Sequence, residues 1–188
     1  MTTPEIQARP PLVGSGIIIS SYIHVGHIVR SIELAAAVSI LGRTDKLEWP
    51  SLDGIPVLRL PFDDTSANTK PGVAATPDHV RQLIEFSRAW GGRGHLLLHC
   101  RAGVSRSPAA AMVAAAAIGR RDLLPVIATA RSFFCLNFHV LEIADRIFGG
   151  TILMDCARSS PAPDRNDPWE PVWVPISQDP ADGLRAVP

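Results

Sequence analysis

The sequence predicts a three-layer α/β domain in which helices flank a central, mostly parallel sheet. Four short apolar segments of strand length recur along the chain, and an amphipathic helical segment lies between the third and the fourth. A strand, a helix and another strand in this order form a crossover unit, which makes the two strands parallel and places the helix on a sheet face. The chain has 188 residues with 46% hydrophobic content, which suits one domain of this kind.

Each predicted strand is bounded by glycine, proline or polar residues. The four strands are Gly16 to Ser20, Ala35 to Leu41, Ile55 to Leu60 and His95 to His99. Thr76 can cap the helix that follows the third strand, Pro77 suits its first turn, and Gly91 ends it.

Three further helices are predicted after the fourth strand. They are Ser107 to Ile118, Leu123 to Arg131 and Phe138 to Phe148. The first is apolar on every side, which predicts a central place in the core. We expect the folded domain to span residues 12–156. Residues 157–188 contain seven prolines and no periodicity, which predicts an extended or disordered tail.

Composition excludes several classes of partner. The chain carries 18 basic and 18 acidic residues, so no overall field favours nucleic acid or an anionic membrane. No apolar stretch reaches the roughly 18 residues that a membrane span needs. Three cysteines at irregular spacing suit free thiols in a reducing compartment. The sequence therefore predicts a cytoplasmic protein without nucleic-acid or membrane partners.

One segment carries an arrangement suited to anion binding. The residues from His99 to Ser107 read HCRAGVSRS and lie between a predicted strand and a predicted helix. In that setting, backbone N–H groups converge on an anion such as phosphate. Glycine lets such a loop curl tightly. The residues predicted to bind phosphate are Arg101, Ala102, Gly103, Val104, Ser105 and Arg106.

The side chains of the same segment suit nucleophilic chemistry. A helix N-terminus and nearby cations favour the thiolate form of a cysteine, which makes Cys100 the candidate nucleophile. Arg106 follows six residues later, and its planar guanidinium can bind two phosphate oxygens at once. Ser107 can offer a hydroxyl to the sulfur when the thiolate leaves, and His99 can hold the loop and tune the sulfur.

The pattern His-Cys-x5-Arg-Ser resembles the signature loop of the protein tyrosine and dual-specificity phosphatases. Ser105, where tyrosine-specific members usually carry glycine, makes the loop similar to the dual-specificity branch and to small bacterial tyrosine phosphatase-like proteins. The resemblance implies the cysteine-phosphatase fold, a cysteinyl-phosphate intermediate, and neither metal nor cofactor. It implies a phosphorylated protein or a small phosphomonoester as substrate, with protein phosphotyrosine first and phosphoserine or phosphothreonine next.

The resemblance also implies a general acid and a supporting asparagine. Family members carry an aspartate upstream of the cysteine, on a loop after a strand. Asp64 meets that description 36 residues before Cys100, and we prefer it to its neighbour Asp63. Asn137 resembles an asparagine that family members use near the signature loop, although Leu136 stands where proline is usual.

Two other functions stay open on the sequence alone. A pseudophosphatase that binds phosphorylated ligands and turns over slowly would follow if neither Asp63 nor Asp64 reaches the site. Sulfur transfer of the rhodanese kind also uses a cysteine in a tight loop, but the Ser-Arg-Ser ending and the upstream aspartates argue against it. Outside the motif, Cys135 is interpreted as a core residue, with a resolving thiol for oxidised Cys100 as the alternative.

Overall fold

The computed structural model describes residues 14–65, 72–130, 134–159, 170–176 and 185–186. Its centre is one sheet in which six strands pair in the order β3-β2-β4-β1-β5-β6. The first four of that order are parallel, and the last two are antiparallel to their neighbours. The strands are β1 (Gly16–Ser21), β2 (Leu34–Ile40), β3 (Val57–Leu60), β4 (His95–Cys100), β5 (Val172–Pro175) and β6 (Arg185–Ala186). The predicted fold class is confirmed.

Helices cover both faces of this sheet. They are α1 (Val25–Ser31), α2 (Pro77–Trp90), α3 (Arg106–Ala117), α4 (Leu123–Ala128), α5 (Phe138–Phe148) and α6 (Ile152–Arg158). The larger core lies under α2 to α6, and a smaller one lies under α1. Successive side chains of a strand point to opposite faces. Accordingly, Leu96 and Leu98 of β4 enter the larger core while Leu97 enters the smaller. None of the helices among the described residues is both long and apolar enough to cross a membrane.

Two helices follow the local signals in the sequence closely. The Thr76 hydroxyl accepts a hydrogen bond from the His79 N–H of α2, and Gly91 ends that helix with a φ of 64°. Alanine-rich α3 is buried from Arg106 to Ala115, as its lack of a polar face predicts.

The C-terminal part of the chain departs from the prediction. A domain boundary at residue 156 leaves out β5, whose four residues are buried and pair antiparallel with β1, and it cuts through α6. Trp173 of β5 packs over Gly16, where a Cβ atom would lie 2.0 Å from the indole Nε1. Glycine in β1 therefore makes room for an aromatic residue that the sequence analysis placed in the tail. Residues 160–169, 177–184 and 187–188 of the predicted tail lie outside the described residues.

Candidate active site

The predicted catalytic segments meet at the carboxyl edge of the parallel strands. β4 ends at Cys100, and residues 101–105 lead into α3 at Arg106. We call Cys100 to Arg106 the cradle loop. Ser21 at the end of β1 is in register with Cys100, and the chain after β3 returns to the same edge with Asp63 and Asp64. Open α/β sheets commonly place their sites at this edge.

The Cys100 thiol lies inside the cradle loop. The residue is 1% exposed, and the Gly103 N–H donates a hydrogen bond to Sγ over 3.2 Å. The Ser107 hydroxyl lies 3.3 Å from Sγ and 3.4 Å from the Ser20 carbonyl oxygen. A backbone amide and a hydroxyl at the start of a helix are groups that stabilise a thiolate.

Glycine is required in the cradle loop at position 103. Gly103 has a φ of +78°, and a Cβ there would lie 2.7 Å from the backbone nitrogen of Ser21. The loop also receives a hydrogen bond of 3.2 Å from the Tyr22 N–H to the Arg101 carbonyl. The end of β1 and the residue after it therefore contact the backbone of the cradle loop and hold it in place.

Arg106 is buried and held by a carboxylate that the sequence analysis missed. The residue is 3% exposed, and its Nη1 donates to Asp45 Oδ2 over 2.7 Å and to the Phe62 carbonyl over 3.1 Å. Its Nη2 donates to Asp45 Oδ1 over 3.1 Å. Burial by itself lowers the pKa of Arg106, but the contact with Asp45 and the negative charge of the site outweigh burial and raise it. Arg106 therefore stays cationic.

Asp45 reaches Arg106 from the chain that follows β2. It closes a short 3-10 helix, Arg43–Asp45, and its Oδ2 also accepts the Gly42 N–H over 2.8 Å. Asp45 is 8% exposed, so the ion pair is shielded from water. The sequence could have indicated Asp45 only as an acidic residue shortly after a predicted strand, because Asp45 belongs to no recognised motif.

The two aspartates after β3 have different surroundings. Asp63 is buried and accepts hydrogen bonds from the Thr44 N–H over 2.8 Å, the Val73 N–H over 2.7 Å and the Thr44 hydroxyl. Burial raises the pKa of Asp63, but these hydrogen bonds outweigh burial and hold the pKa below its ordinary value. A Cβ at Gly42 would lie 2.1 Å from Asp63 Oδ1. Asp63 therefore ties together the loops after β2 and β3.

Asp64 is exposed and lies against the cradle loop. Its Oδ1 accepts hydrogen bonds from the Ser105 hydroxyl over 2.6 Å and from the Asn137 amide over 2.8 Å. The predicted asparagine is thus next to the predicted acid. The Asn137 N–H also donates to the Ser105 carbonyl over 3.3 Å, and the Cys135 N–H donates to the Val104 carbonyl over 2.9 Å.

His99 lies beneath the cradle loop in the sheet. It is fully buried, and its Nε2 lies 2.5 Å from the Ser39 hydroxyl of β2. Burial lowers the pKa of His99 to about 4, and the charge of Arg106 acts in the same direction. The ring is therefore neutral at physiological pH and links β4 to β2.

The remaining predicted residues differ in exposure. Arg101 is exposed, Ala102 and Val104 are half-buried, and Ser105 is buried with its hydroxyl on Asp64. Cys135 is exposed, so its interpretation as a core residue is wrong. Residues 131–133, shortly before Cys135 in the chain, lie outside the described residues. The backbone N–H of Cys135 is hydrogen-bonded to the cradle loop at Val104.

Comparison with known proteins gives matches among solved structures. No family model matches the chain, and no curated protein matches it. The chain is similar to DUSP15, with 22% identity over 80% of this chain and 92% of that one and a TM-score of 0.47. It is similar to a mutant form of Tk-PTP, with 19% identity, coverage of 73% and 82%, and a TM-score of 0.37. A mouse protein described as a dual-specificity phosphatase, complexed with zinc tungstate, has 18% identity, coverage of 88% and 86%, and a TM-score of 0.37.

Proposed function

We propose that this protein is a cysteine-dependent phosphatase that hydrolyses phosphomonoesters through a cysteinyl-phosphate intermediate. The observation that carries the proposal is the position of Asp64, whose carboxylate contacts Ser105 within the same loop that encloses the Cys100 thiol. A nucleophile, a cationic clamp and a carboxyl group thus converge on one anion-binding loop, as phosphoryl transfer to a side chain requires.

The first step transfers the phosphoryl group to sulfur. The Cys100 thiolate attacks phosphorus, the S–P bond forms, and the bond to the leaving oxygen breaks. Asp64 gives its proton to that oxygen, so an alcohol or a phenol departs. The cradle-loop amides and Arg106 stabilise the charge on the phosphoryl oxygens.

The second step releases phosphate. Water attacks phosphorus as Asp64, now a carboxylate, accepts a proton from it. The S–P bond breaks and returns the electron pair to Cys100, where the Gly103 N–H and the Ser107 hydroxyl receive the thiolate. Both steps balance with the Cys100 thiolate of the cradle loop and the Asp64 carboxyl group beside it.

Phosphotyrosine in a protein is the proposed substrate, with phosphoserine and phosphothreonine next. The thiol is 1% exposed, so phosphorus must enter the cradle loop to be attacked. An aryl group carries phosphate further from a peptide backbone than the single methylene of serine does. We place the protein in the cytoplasm because Cys100, Cys135 and Cys156 are all free thiols.

A phospho-binding module without turnover is the second candidate. The arrangement of Cys100 and Arg106 alone would serve binding equally well. The hydrogen-bonded position of Asp64 favours turnover, since a binding module has no use for a proton donor at the cradle loop.

Hydrolysis of p-nitrophenyl phosphate tests the proposal. We expect metal-independent turnover by the wild type, none by Cys100→Ser, and a loss of kcat for Asp64→Ala with tight vanadate binding retained. Asp122→Asn, an exposed change after α3, serves as the control and keeps wild-type rates. Vanadate binding without turnover in the wild type would establish the binding module instead.

A further inference from the structure

Two side chains donate to the same oxygen of Asp64, and this asymmetry has a chemical consequence. The Ser105 hydroxyl donates to Oδ1 over 2.6 Å and the Asn137 amide donates to Oδ1 over 2.8 Å. We infer, on the basis of the proposed function, that Ser105 and Asn137 are positioning residues. They occupy Oδ1 of Asp64, so that Oδ2 carries the proton that is transferred.

The orientation of the Asn137 amide is set by the helix that it caps. Its Oδ1 accepts the Val140 N–H over 3.1 Å at the start of α5. The oxygen is therefore committed to the helix, and the NH₂ group is what faces Asp64. Because an NH₂ group only donates, the Asp64 oxygen in front of it has to accept.

Ser105 and Asn137 form one unit around the carboxyl group. The Asn137 N–H donates to the Ser105 carbonyl over 3.3 Å, so the two residues are joined through the backbone as well as through Asp64. Ser105 is 7% exposed and Asn137 is 8% exposed, which reduces competition from water for both donors. Because Oδ1 accepts two hydrogen bonds, the protonated carboxyl group of Asp64 carries its proton on Oδ2.

Other charged or titratable groups near Asp64 do not select one oxygen. Arg106 acts on Asp64 through its charge and is itself paired with Asp45. Asp63, the chain neighbour of Asp64, is held by Thr44 and Val73. Cys100 is in contact with Gly103 and Ser107. The choice between Oδ1 and Oδ2 therefore depends on Ser105 and Asn137.

The consequence for the reaction concerns the leaving group. In the first step the proton on Oδ2 passes to the leaving oxygen as the P–O bond breaks, and Oδ1 keeps its two donors throughout. Without Ser105 one of the two hydrogen bonds that keep the proton off Oδ1 is lost, so the carboxyl group carries its proton on Oδ2 less often and fewer encounters are productive. The loss must grow as the leaving phenol becomes more basic, because such phenols depend most on protonation.

The test is a kinetic comparison of Ser105→Ala, Ser105→Thr and Asn137→Ser. Threonine keeps the hydroxyl, and serine at position 137 keeps a capping oxygen for α5 while it is too short to donate to Asp64. Each would be assayed with p-nitrophenyl phosphate and with phenyl phosphate, whose leaving group is more basic. We expect kcat for phenyl phosphate to fall about 10- to 100-fold in Ser105→Ala and in Asn137→Ser, the equivalent of one charge-assisted hydrogen bond.

The expected pattern has three further parts. The loss for p-nitrophenyl phosphate is smaller than for phenyl phosphate, KM changes little, and Ser105→Thr restores most of kcat. In an Asp64→Ala background, Ser105→Ala has no further effect, because the two changes remove the same contribution.

Two results would overturn the inference: an equal loss of kcat for both substrates, or the same loss from Ser105→Ala in the Asp64→Ala background. Either result would mean that Ser105 only maintains the shape of the cradle loop. If Asp64→Ala itself leaves the phenyl phosphate rate unchanged, the acid role in the proposed function fails first. If Asp64→Ala loses activity and Ser105→Ala does not, only the positioning inference fails.

Discussion

Replacement of Asp45 by asparagine should destabilise the protein strongly, although Asp45 is outside the segment that carries the motif. The side chains of Arg106 and Asp45 are 3% and 5% exposed, and two hydrogen bonds of 2.7 and 3.1 Å join them. The Arg106 Nε has no hydrogen-bond partner among the described residues, so the guanidinium depends on Asp45 and the Phe62 carbonyl. Asparagine keeps the shape of the side chain but removes its charge.

The magnitude follows from burial. Removing one partner of a buried ion pair leaves the other charge uncompensated and typically costs about 3–5 kcal/mol. An exposed pair contributes no more than about 1 kcal/mol. The Arg120–Asp122 pair, with side chains 29% and 59% exposed, provides the matched control in the same chain. We therefore expect Asp45→Asn to lower the free energy of unfolding several-fold more than Asp122→Asn.

Urea unfolding of both variants measures this difference. Vanadate should recover part of the stability of Asp45→Asn, because an oxyanion in the cradle loop supplies a new partner for Arg106 and binds only the folded state. An apolar replacement of both partners, Asp45→Leu with Arg106→Leu, should be less destabilising than Asp45→Asn. If Asp45→Asn and Asp122→Asn unfold at the same urea concentration, the buried pair does not hold Arg106 as described.

Three further predictions concern stability. The pKa of His99 is 6.5 in the unfolded chain and about 4 in the folded protein. Between these two pH values the unfolded chain therefore binds a proton that the folded protein does not bind. Stability is therefore full above pH 6.5 and falls by about 3 kcal/mol as the pH drops towards 4, and unfolding titrations of His99→Asn should show a flatter profile. Gly103→Ala should cost about 1–3 kcal/mol and abolish p-nitrophenyl phosphate turnover, since its Cβ meets the Ser21 backbone; full activity would contradict the tight loop. Gly16→Ala should displace Trp173 and lower the free energy of unfolding, measured in urea, by about 1–3 kcal/mol, with a change in tryptophan fluorescence; an unchanged spectrum would refute the packing of β5 on β1.

Local signals in the sequence predicted most of the central sheet. The four parallel strands agree with their apolar segments to within about two residues, as expected for buried strands bounded by turn residues. The cap of α2 was also predictable, because Thr76, Pro77 and Gly91 act within one or two turns of the helix. Such features depend on neighbours along the chain, so a single sequence contains them.

Features that depend on distant parts of the chain were missed. β5 is four residues among prolines, and its place beside β1 follows from pairing with a strand about 150 residues earlier, which no local pattern indicates. Asp45 is distinguished from other acids only by its contact with Arg106, 61 positions later. Cys135 follows two phenylalanines, which favoured a core position, yet its backbone lies on the cradle loop and its side chain is exposed.

Candidate catalytic residues were predictable where a motif fixed their spacing. The order strand, loop and helix around Cys100 made the cradle loop evident, and the position of Asp64 after β3 placed it at the same edge. What the sequence did not contain was the direction of each side chain. Ser105, predicted to bind phosphate, directs its hydroxyl to Asp64, and Asp63 binds Thr44 and Val73.

Trapping of the covalent intermediate tests the central claim most directly. Asp64→Ala would be mixed with a phosphomonoester, quenched in acid and digested, and the peptides would be measured by mass spectrometry. We expect one phosphoryl group on the peptide that contains Cys100 and none on the same peptide from Cys100→Ser. Turnover by the wild type with no phosphoryl group on Cys100 at any quench time, or with the group on another residue, would contradict the account.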